Sequence, residues 1–148
     1  MSVEKYYNLA KDSLFPICRS LTGGGVRKTL NIIHKEFPKL KVKKLKSGTK
    51  VFDWNIPEEW NVVDAYVIDK YNNKIIDFKK NNLHLVEYSI PIKKYLSKKE
   101  LFKNLYFLQN QPKAIPYITS YYKRRWGFCV SYNEYKNLYQ RYSSNNKF

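Results

Sequence analysis

The spacing of apolar residues changes character partway along the chain, and this change limits the fold more than any other feature. Up to about residue 38 apolar positions recur at helical intervals. Tyr6, Tyr7, Ala10, Leu14 and Ile17 lie near i, i+4, i+8 spacing, which predicts a helix over 3–18. Pro16 bends or ends it, because proline lacks the N–H a helix interior needs. Val26, Leu30, Ile33 and Phe37 then form an apolar stripe, which predicts a second helix over 26–37, stopped by Pro38. Gly23-Gly24-Gly25 separates the two.

Beyond this point the period is two. Lys39-Leu40-Lys41-Val42-Lys43 alternates, which predicts a half-buried strand over 39–46. Ser47-Gly48-Thr49 reads as a turn and 50–56 as another strand. Strands are expected over 62–69 and 74–78, joined by a hairpin turn through Asn72-Asn73, since Asn tolerates positive φ. Residues 83–90 alternate Leu83, Leu85 and Glu87 against His84, Val86 and Tyr88, another strand pattern. Ser97-Lys98-Lys99-Glu100 is a capping-box pattern opening a short helix to about residue 104, with Leu101 inward. Residues 109–116 read as a loop. Residues 117–122 and 126–131 read as a hairpin split by Lys123-Arg124-Arg125. Residues 133–142 read as a last helix, or as a stretch that is helical only in its local pattern, before a polar tail expected to fray. The class is α+β: two N-terminal helices, then a β-rich domain, sandwich- or barrel-like, with one short inserted helix. The change from helical to β pattern falls near 46–54.

The 148 residues suit one domain, or one domain with a piece of another. With 43% hydrophobic and 17% aromatic residues a packed core is affordable and global disorder is excluded. No run approaches the roughly 18 uncharged apolar residues of a membrane span. Residues 1–12 carry Glu4, Lys5, Lys11 and Asp12 and no apolar secretory core, which points to the cytoplasm. The net charge is +16, which on its face suggests a polyanion. Yet 23 of the 28 basic residues are Lys and 5 are Arg, scattered along the chain. Lys, Asn, Ile and Tyr share A/T-rich codons, and nucleic-acid readers lean on Arg for bidentate contacts. Neither a nucleic-acid nor a membrane partner is expected.

Few residues offer catalytic chemistry. Gly23-Gly24-Gly25 before a helix could cradle a phosphate, but no strand precedes it and the P-loop Lys-Ser/Thr pair is missing, so a helix–helix connector is the plainer reading. His34 and His84 lie fifty residues apart and have no HxxxH partner. They read as a solvated or capping histidine and a hydrogen-bonded structural one. Cys18 and Cys129 lack CxxC spacing, and Cys129, inside Trp126-Gly127-Phe128-Cys129, reads as a buried inert thiol. Asp53, Asp64, Asp69 and Asp77 sit where strand ends and turns are predicted, without glycosidase or calcium-loop spacing. Tyr117, Tyr121, Tyr122 and Trp126 surround the basic turn. Aromatics interleaved with cations can stack on bases or sugars, and the same residues also read as a core hairpin with a solvated basic turn. Tyr121, Tyr122, Arg124, Arg125 and Trp126 are therefore the candidate ligand or domain contact. No catalytic or metal-binding residue is identified.

Several separated phrases carry a resemblance. They are Pro16-Ile17-Cys18-Arg19-Ser20-Leu21-Thr22-Gly23 with Val26-Arg27-Lys28-Thr29-Leu30, then Ser47-Gly48-Thr49-Lys50-Val51-Phe52-Asp53-Trp54. Pro57-Glu58-Glu59-Trp60-Asn61, Asp64-Ala65-Tyr66, Ile75-Ile76-Asp77-Phe78 and Asn82-Leu83-His84 follow. Tyr88-Ser89-Ile90-Pro91, Ile115-Pro116-Tyr117, Thr119-Ser120-Tyr121-Tyr122 and Trp126-Gly127-Phe128-Cys129 complete the set. Over about residues 5–142 the chain resembles the bacterial zinc-aminopeptidase-like family DUF4910 with its inserted DUF2172 domain, some members of which are named polysaccharide biosynthesis proteins. The resemblance implies that residues 1–48 open an incomplete M28-type peptidase domain and that 49–148 are most of the β-rich insert. It also implies that the family's zinc ligands lie in a Cys-His-Pro-Ser-like stretch beyond Trp126-Gly127-Phe128-Cys129. Neither His34 nor His84 is preceded by Cys or followed by Pro, so no zinc ligand carries over. The expectation is the N-terminal third of a metallopeptidase-like protein, a hydrolase family, holding no cofactor and inactive alone. Its expected partners are the missing C-terminal peptidase portion or its own copies, with a peptide or sugar as a possible ligand. The alternative is a stand-alone binding module for a sugar, peptide or nucleic acid.

Overall fold

The computed structural model describes residues 2–120 and 122–148. The chain divides into two compact units, Met1–Val62 and Val63–Phe148.

In the first unit the Ser2 side chain accepts the Lys5 N–H and caps helix α1, Val3–Asn8. A π-helical turn, Leu9–Leu14, continues it, closed by Phe15 N–H on the Ala10 carbonyl at 2.8 Å. The helical run stops before Pro16, as the missing proline N–H requires. Helix α2, Gly24–Glu36, begins two residues before the expected start. Gly23 takes φ 114°, and the Asn61 side chain accepts the Gly24 N–H at 2.7 Å, so one orphan donor of the helix end is satisfied from far along the chain. Tyr6 stacks on Phe37 at 5.6 Å, and Lys5 pairs with Glu36 at 2.5 Å, which joins α1 to the end of α2.

The strand expected over 39–46 does not form. Its side chains are exposed, and among the described residues no hydrogen bond reaches the backbone of residues 41–45, so alternation alone did not make a ladder. Residues 50–56 are a tight hairpin rather than one strand. Strand β1, Lys50–Val51, pairs antiparallel with β2, Trp54–Asn55. The chain reverses at Phe52-Asp53, with Phe52 at φ 53°.

In the second unit β3, Tyr66–Ile68, pairs antiparallel with β4, Lys74–Asp77, with a bulge between Val67 and Ile68. The turn uses Asn72 at φ 65°, as expected of Asn. Residues 83–90 are not a continuous strand. The Asn81 side chain accepts the Leu83 N–H and starts a 3₁₀ turn, Asn82–His84, while Tyr88 at φ 61° breaks the pleat. Leu85 and Glu87 each make an isolated bridge, to Phe128 and Thr119. Helix α3, Lys98–Lys103, opens on the Ser97–Glu100 capping box, and Leu101 is fully buried.

The hairpin expected over 117–131 is absent. Its first limb pairs with Glu87 through Thr119. Its second limb holds β6, Phe128–Cys129, which pairs parallel with β5, Leu105–Tyr106. Both partners are distant in sequence, where local alternation cannot identify them. Helix α4, Tyr132–Arg141, follows, capped by a second box from Ser131 and Glu134. The C-terminal residues are not frayed: Phe148 is 6% exposed, and its N–H and carbonyl both bond Leu96 at 2.9 and 2.7 Å.

Among the described residues there are three sheets of two strands each, and the mixture is α+β. The core lies in the second unit, where Val67, Ile76, Leu101, Phe128, Val130 and Leu138 pack together. Among the described residues of the first unit, Ile56 is the only large apolar side chain in the buried class.

Candidate functional site

Of the five sequence-selected contact residues, Tyr121 lies outside the described residues. Tyr122, 59% exposed, and Arg124 reach the surface. Arg125 and Trp126 are half-buried and belong to the packing. The Arg125 Nη2 donates to the Thr119 carbonyl at 3.2 Å, and its guanidinium lies 5.5 Å from the Tyr106 ring centre. The Arg125 carbonyl accepts the Ile90 N–H at 3.0 Å. Trp126 packs against the core with the Lys94 ammonium 5.6 Å from its ring centre.

Beneath this surface lies a polar cluster that the sequence reading did not single out. Glu87 is 4% exposed, and the Tyr117 hydroxyl donates to its Oε2. Burial pushes the Glu87 pKa up, opposed by Tyr117 and by the adjacent Thr119 hydroxyl. Glu87 Oε1, Thr119 Oγ1 and Arg125 Nε are buried with no hydrogen bond of ordinary geometry. Backbone bonds fix the arrangement, since Glu87 donates its N–H to Ile118 and its carbonyl accepts the Ser120 N–H. The available signal was a carboxylate in register with the apolar Leu83 and Leu85. Glu87 Oε1, Thr119 Oγ1 and Arg125 Nε are closed to solvent, so the cluster is part of the packing rather than an open site. It contains no nucleophile–base pair.

The other candidates resolve into structural roles. His84 is buried, and its Nδ1 donates to the Cys129 carbonyl at 2.8 Å. Its Nε2 lies 3.9 Å from Glu134 Oε1. His34 Nδ1 meets the Leu40 carbonyl at 3.0 Å in the other unit. Cys129 is fully buried, and desolvation pushes its thiol up to about 12, against the smaller opposing effects of the Ile118 backbone and Arg125. Asp69 and Asp77 accept backbone N–H groups in the turns that follow their strands, Asp53 lies in the β1–β2 turn, and Asp64 pairs with Lys79 at 2.9 Å. The triglycine is a connector: at Gly25 an added Cβ would lie 2.0 Å from the Cys18 carbonyl oxygen. Asn61 occupies the position a phosphate would take at Gly24. Among the described residues no group of three or more His, Cys, Asp or Glu converges to hold a metal. Since neither His34 nor His84 belongs to such a group, the described residues do not fit a zinc centre. Among the described residues no helix is long and apolar enough to cross a membrane.

The class these features define is an α+β chain whose hydrophobic core, among the described residues, lies in its second unit. Residues 59–144 match DUF2172, a domain of unknown function, and the chain belongs to that family. It is 52% identical over 132 residues to a Clostridium acetobutylicum protein named "Putative polysaccharide biosynthesis protein with aminopeptidase-like domain", covering 89% of this chain and 30% of that protein. It is also similar to the crystal structure of a protein from the same organism described as a "putative peptidase". There the TM-score is 0.86 and the identity 46%, over 97% of this chain and 33% of the other. The chain therefore spans about a third of the length of the relatives it matches.

Proposed function

We propose that this chain is the N-terminal part of a zinc aminopeptidase-like protein, of the DUF4910 type, and that it does not hydrolyse peptides by itself. In this reading residues 1–48 open an M28-type peptidase domain and residues 49–148 form its insert. The observation that carries it is the state of the first unit. Val3, Tyr7, Phe15, Leu21 and Leu45 are 55–86% exposed there, while Ile56 alone among the large apolar side chains of the unit's described residues is buried. Apolar exposure on this scale marks a surface that another part of a protein covers. The one-third coverage of both relatives supports the same reading. Zinc, with the Lewis-acid and water-activating chemistry it supplies, then belongs to residues outside this chain. The insert contributes shape, and Tyr122 and Arg124, at its surface, are the residues we assign to contact with the remaining domain or with a peptide or sugar in its cleft.

The test joins this chain to the remaining part of the 52% identical relative. Amide exchange over α1 and α2 is expected to slow in the fusion relative to the chain alone, and unchanged exchange overturns the reading. For the isolated chain, an aminoacyl chromogenic substrate with added zinc is expected to show no turnover. Hydrolysis that a chelator abolishes would place the chemistry in this chain.

A further inference from the structure

Glu87 lies in the packing of the second unit, 4% exposed, and among the described residues no ion pair reaches it. Its Oε2 accepts the Tyr117 hydroxyl, while its Oε1 has no hydrogen bond of ordinary geometry. A carboxyl taken out of water without a cation favours its neutral form. Burial accordingly raises the Glu87 pKa, against the opposing hydroxyls of Tyr117 and Thr119. The same residue anchors the backbone that faces it. Glu87 donates its N–H to the Ile118 carbonyl at 2.8 Å, and its own carbonyl accepts the Ser120 N–H at 3.0 Å and the Ser120 hydroxyl at 3.2 Å. Three residues on, Ile90 donates its N–H to the Arg125 carbonyl at 3.0 Å, and Arg125 Nη2 donates to the Thr119 carbonyl at 3.2 Å. Tyr122 and Arg124 are exposed between these two fastenings.

The groups around Glu87 that carry or can take charge are Tyr117 and Arg125 from the facing chain and the Cys129 thiol of β6, which burial pushes up to about 12. Phenols and guanidinium groups ordinarily titrate near 10 and above 12, so none of these changes charge near neutrality. Lys123 and Arg124 are exposed. His84, on the same segment, meets the Cys129 carbonyl and Glu134 instead. We propose that Glu87 is a proton-operated latch. Neutral, it clamps 117–120, and through Thr119 also Arg125, and ionised, it loosens them, so that acidity sets how firmly Tyr122 and Arg124 are presented. The sign follows from linkage. A carboxyl that holds its proton more tightly folded than unfolded adds stability that is full below the unfolded value of about 4.3 and is lost as pH rises through the higher folded value. Asp69, held at about 2, is already ionised throughout that range. This inference stands on the Glu87 cluster and does not depend on the aminopeptidase-like reading.

The full chain is tested by residue-resolved amide exchange from about pH 5 to about pH 8, each rate divided by that of the unstructured amide at the same pH. Protection of the Glu87, Ser120 and Ile90 amides is expected to fall as pH rises. The Phe128 and Val130 amides, bonded to Asn104 and Tyr106, are expected to keep theirs. In Glu87→Gln, neutral at every pH, the three amides are expected to hold the acid level of protection throughout. Tyr117→Phe deletes the hydroxyl that favours the ionised carboxylate, and at a ring 66% exposed it leaves the core untouched. In that variant the fall is expected to move to higher pH. Constant protection in the wild-type chain overturns the proposal. So does a fall that persists in Glu87→Gln, which would belong to another group such as His84. A fall that stays in place or moves down in Tyr117→Phe also overturns it, as does an equal fall at Phe128 and Val130, which would be a response of the whole unit.

Discussion

Asp69 gathers more hydrogen bonds than any other carboxylate described. It leaves β3 with its side chain buried, and accepts the Tyr71 and Asn73 N–H groups at 2.9 Å each and the Tyr142 hydroxyl at 2.9 Å. Burial raises its pKa, but the bonds from Asn73, Tyr142 and Tyr71 outweigh burial and hold it at about 2. An unfolded Asp titrates near 3.9, so the stabilisation is complete above about pH 4 and is lost as pH falls toward 2. Asp69→Asn is expected to lower Tm at neutral pH and to flatten the acid part of the stability profile. Thermal melts of both proteins against pH check this, and parallel profiles would deny Asp69 the role. Cys129 gives a second prediction at this scale. With its thiol pushed up to about 12 and its side chain buried, it should resist a thiol reagent in the native protein, while half-buried Cys18 reacts. Mass spectrometry should find Cys129 labelled only in denaturant. The inert thiol was legible in the apolar run around Cys129, as was the turn role of Asp69 beside Asn72-Asn73. The arrival of Tyr142, from far along the chain, was not.

The helices were the most readable elements, because each carries its signal within a few residues. Ser97 and Glu100 announce α3 through a reciprocal box, with the Glu100 Oε2 2.9 Å from the Ser97 N–H. Ser131 and Glu134 repeat the device at α4, with the corresponding distance 2.7 Å. The same Ser-x-x-Glu spacing stood in the sequence at Ser131, and reading it would have fixed the start of the last helix. Ser97→Ala and Ser131→Ala are each expected to cost about 1 kcal/mol. Denaturant titration of the two single variants and the double measures this, and near-additive losses are expected because the boxes share no partner. The strands were far less readable. β5 and β6 are two residues long and pair across more than twenty positions, so the tertiary neighbour, not the local pattern, decides which residues form a ladder. At 39–46 the pattern is present and the neighbour is not.

At the scale of the molecule the two units differ in what they bury. The second has a contiguous core reaching from Val67 to Phe148, whereas the first leaves Phe15, Leu21 and Phe52 more than half exposed. Burial of apolar area at roughly 25 cal/mol per Å² is the main favourable term in folding, so the first unit is the weaker when alone. The isolated chain is expected to bind a hydrophobic dye and to sediment as concentration-dependent oligomers, with amides of α1 and α2 exchanging before those of β6 and α4. Clean monomeric, single-step unfolding without dye binding would contradict this. The helical opening and the α+β class could be read from periodicity, but the sparse burial of the first unit could not, because which apolar side chains are covered depends on tertiary neighbours that local periodicity does not name.

Phe148 is anchored by two backbone bonds to Leu96 and by an edge-on contact of its ring with Tyr142 at 5.0 Å. Any polypeptide or label attached there starts from a fixed point on the second unit. A short-tethered fluorophore at this position should therefore keep high residual anisotropy and report the slow tumbling of the folded body. The same dye carried by Leu96→Pro, which deletes one of the two bonds, should depolarise within nanoseconds.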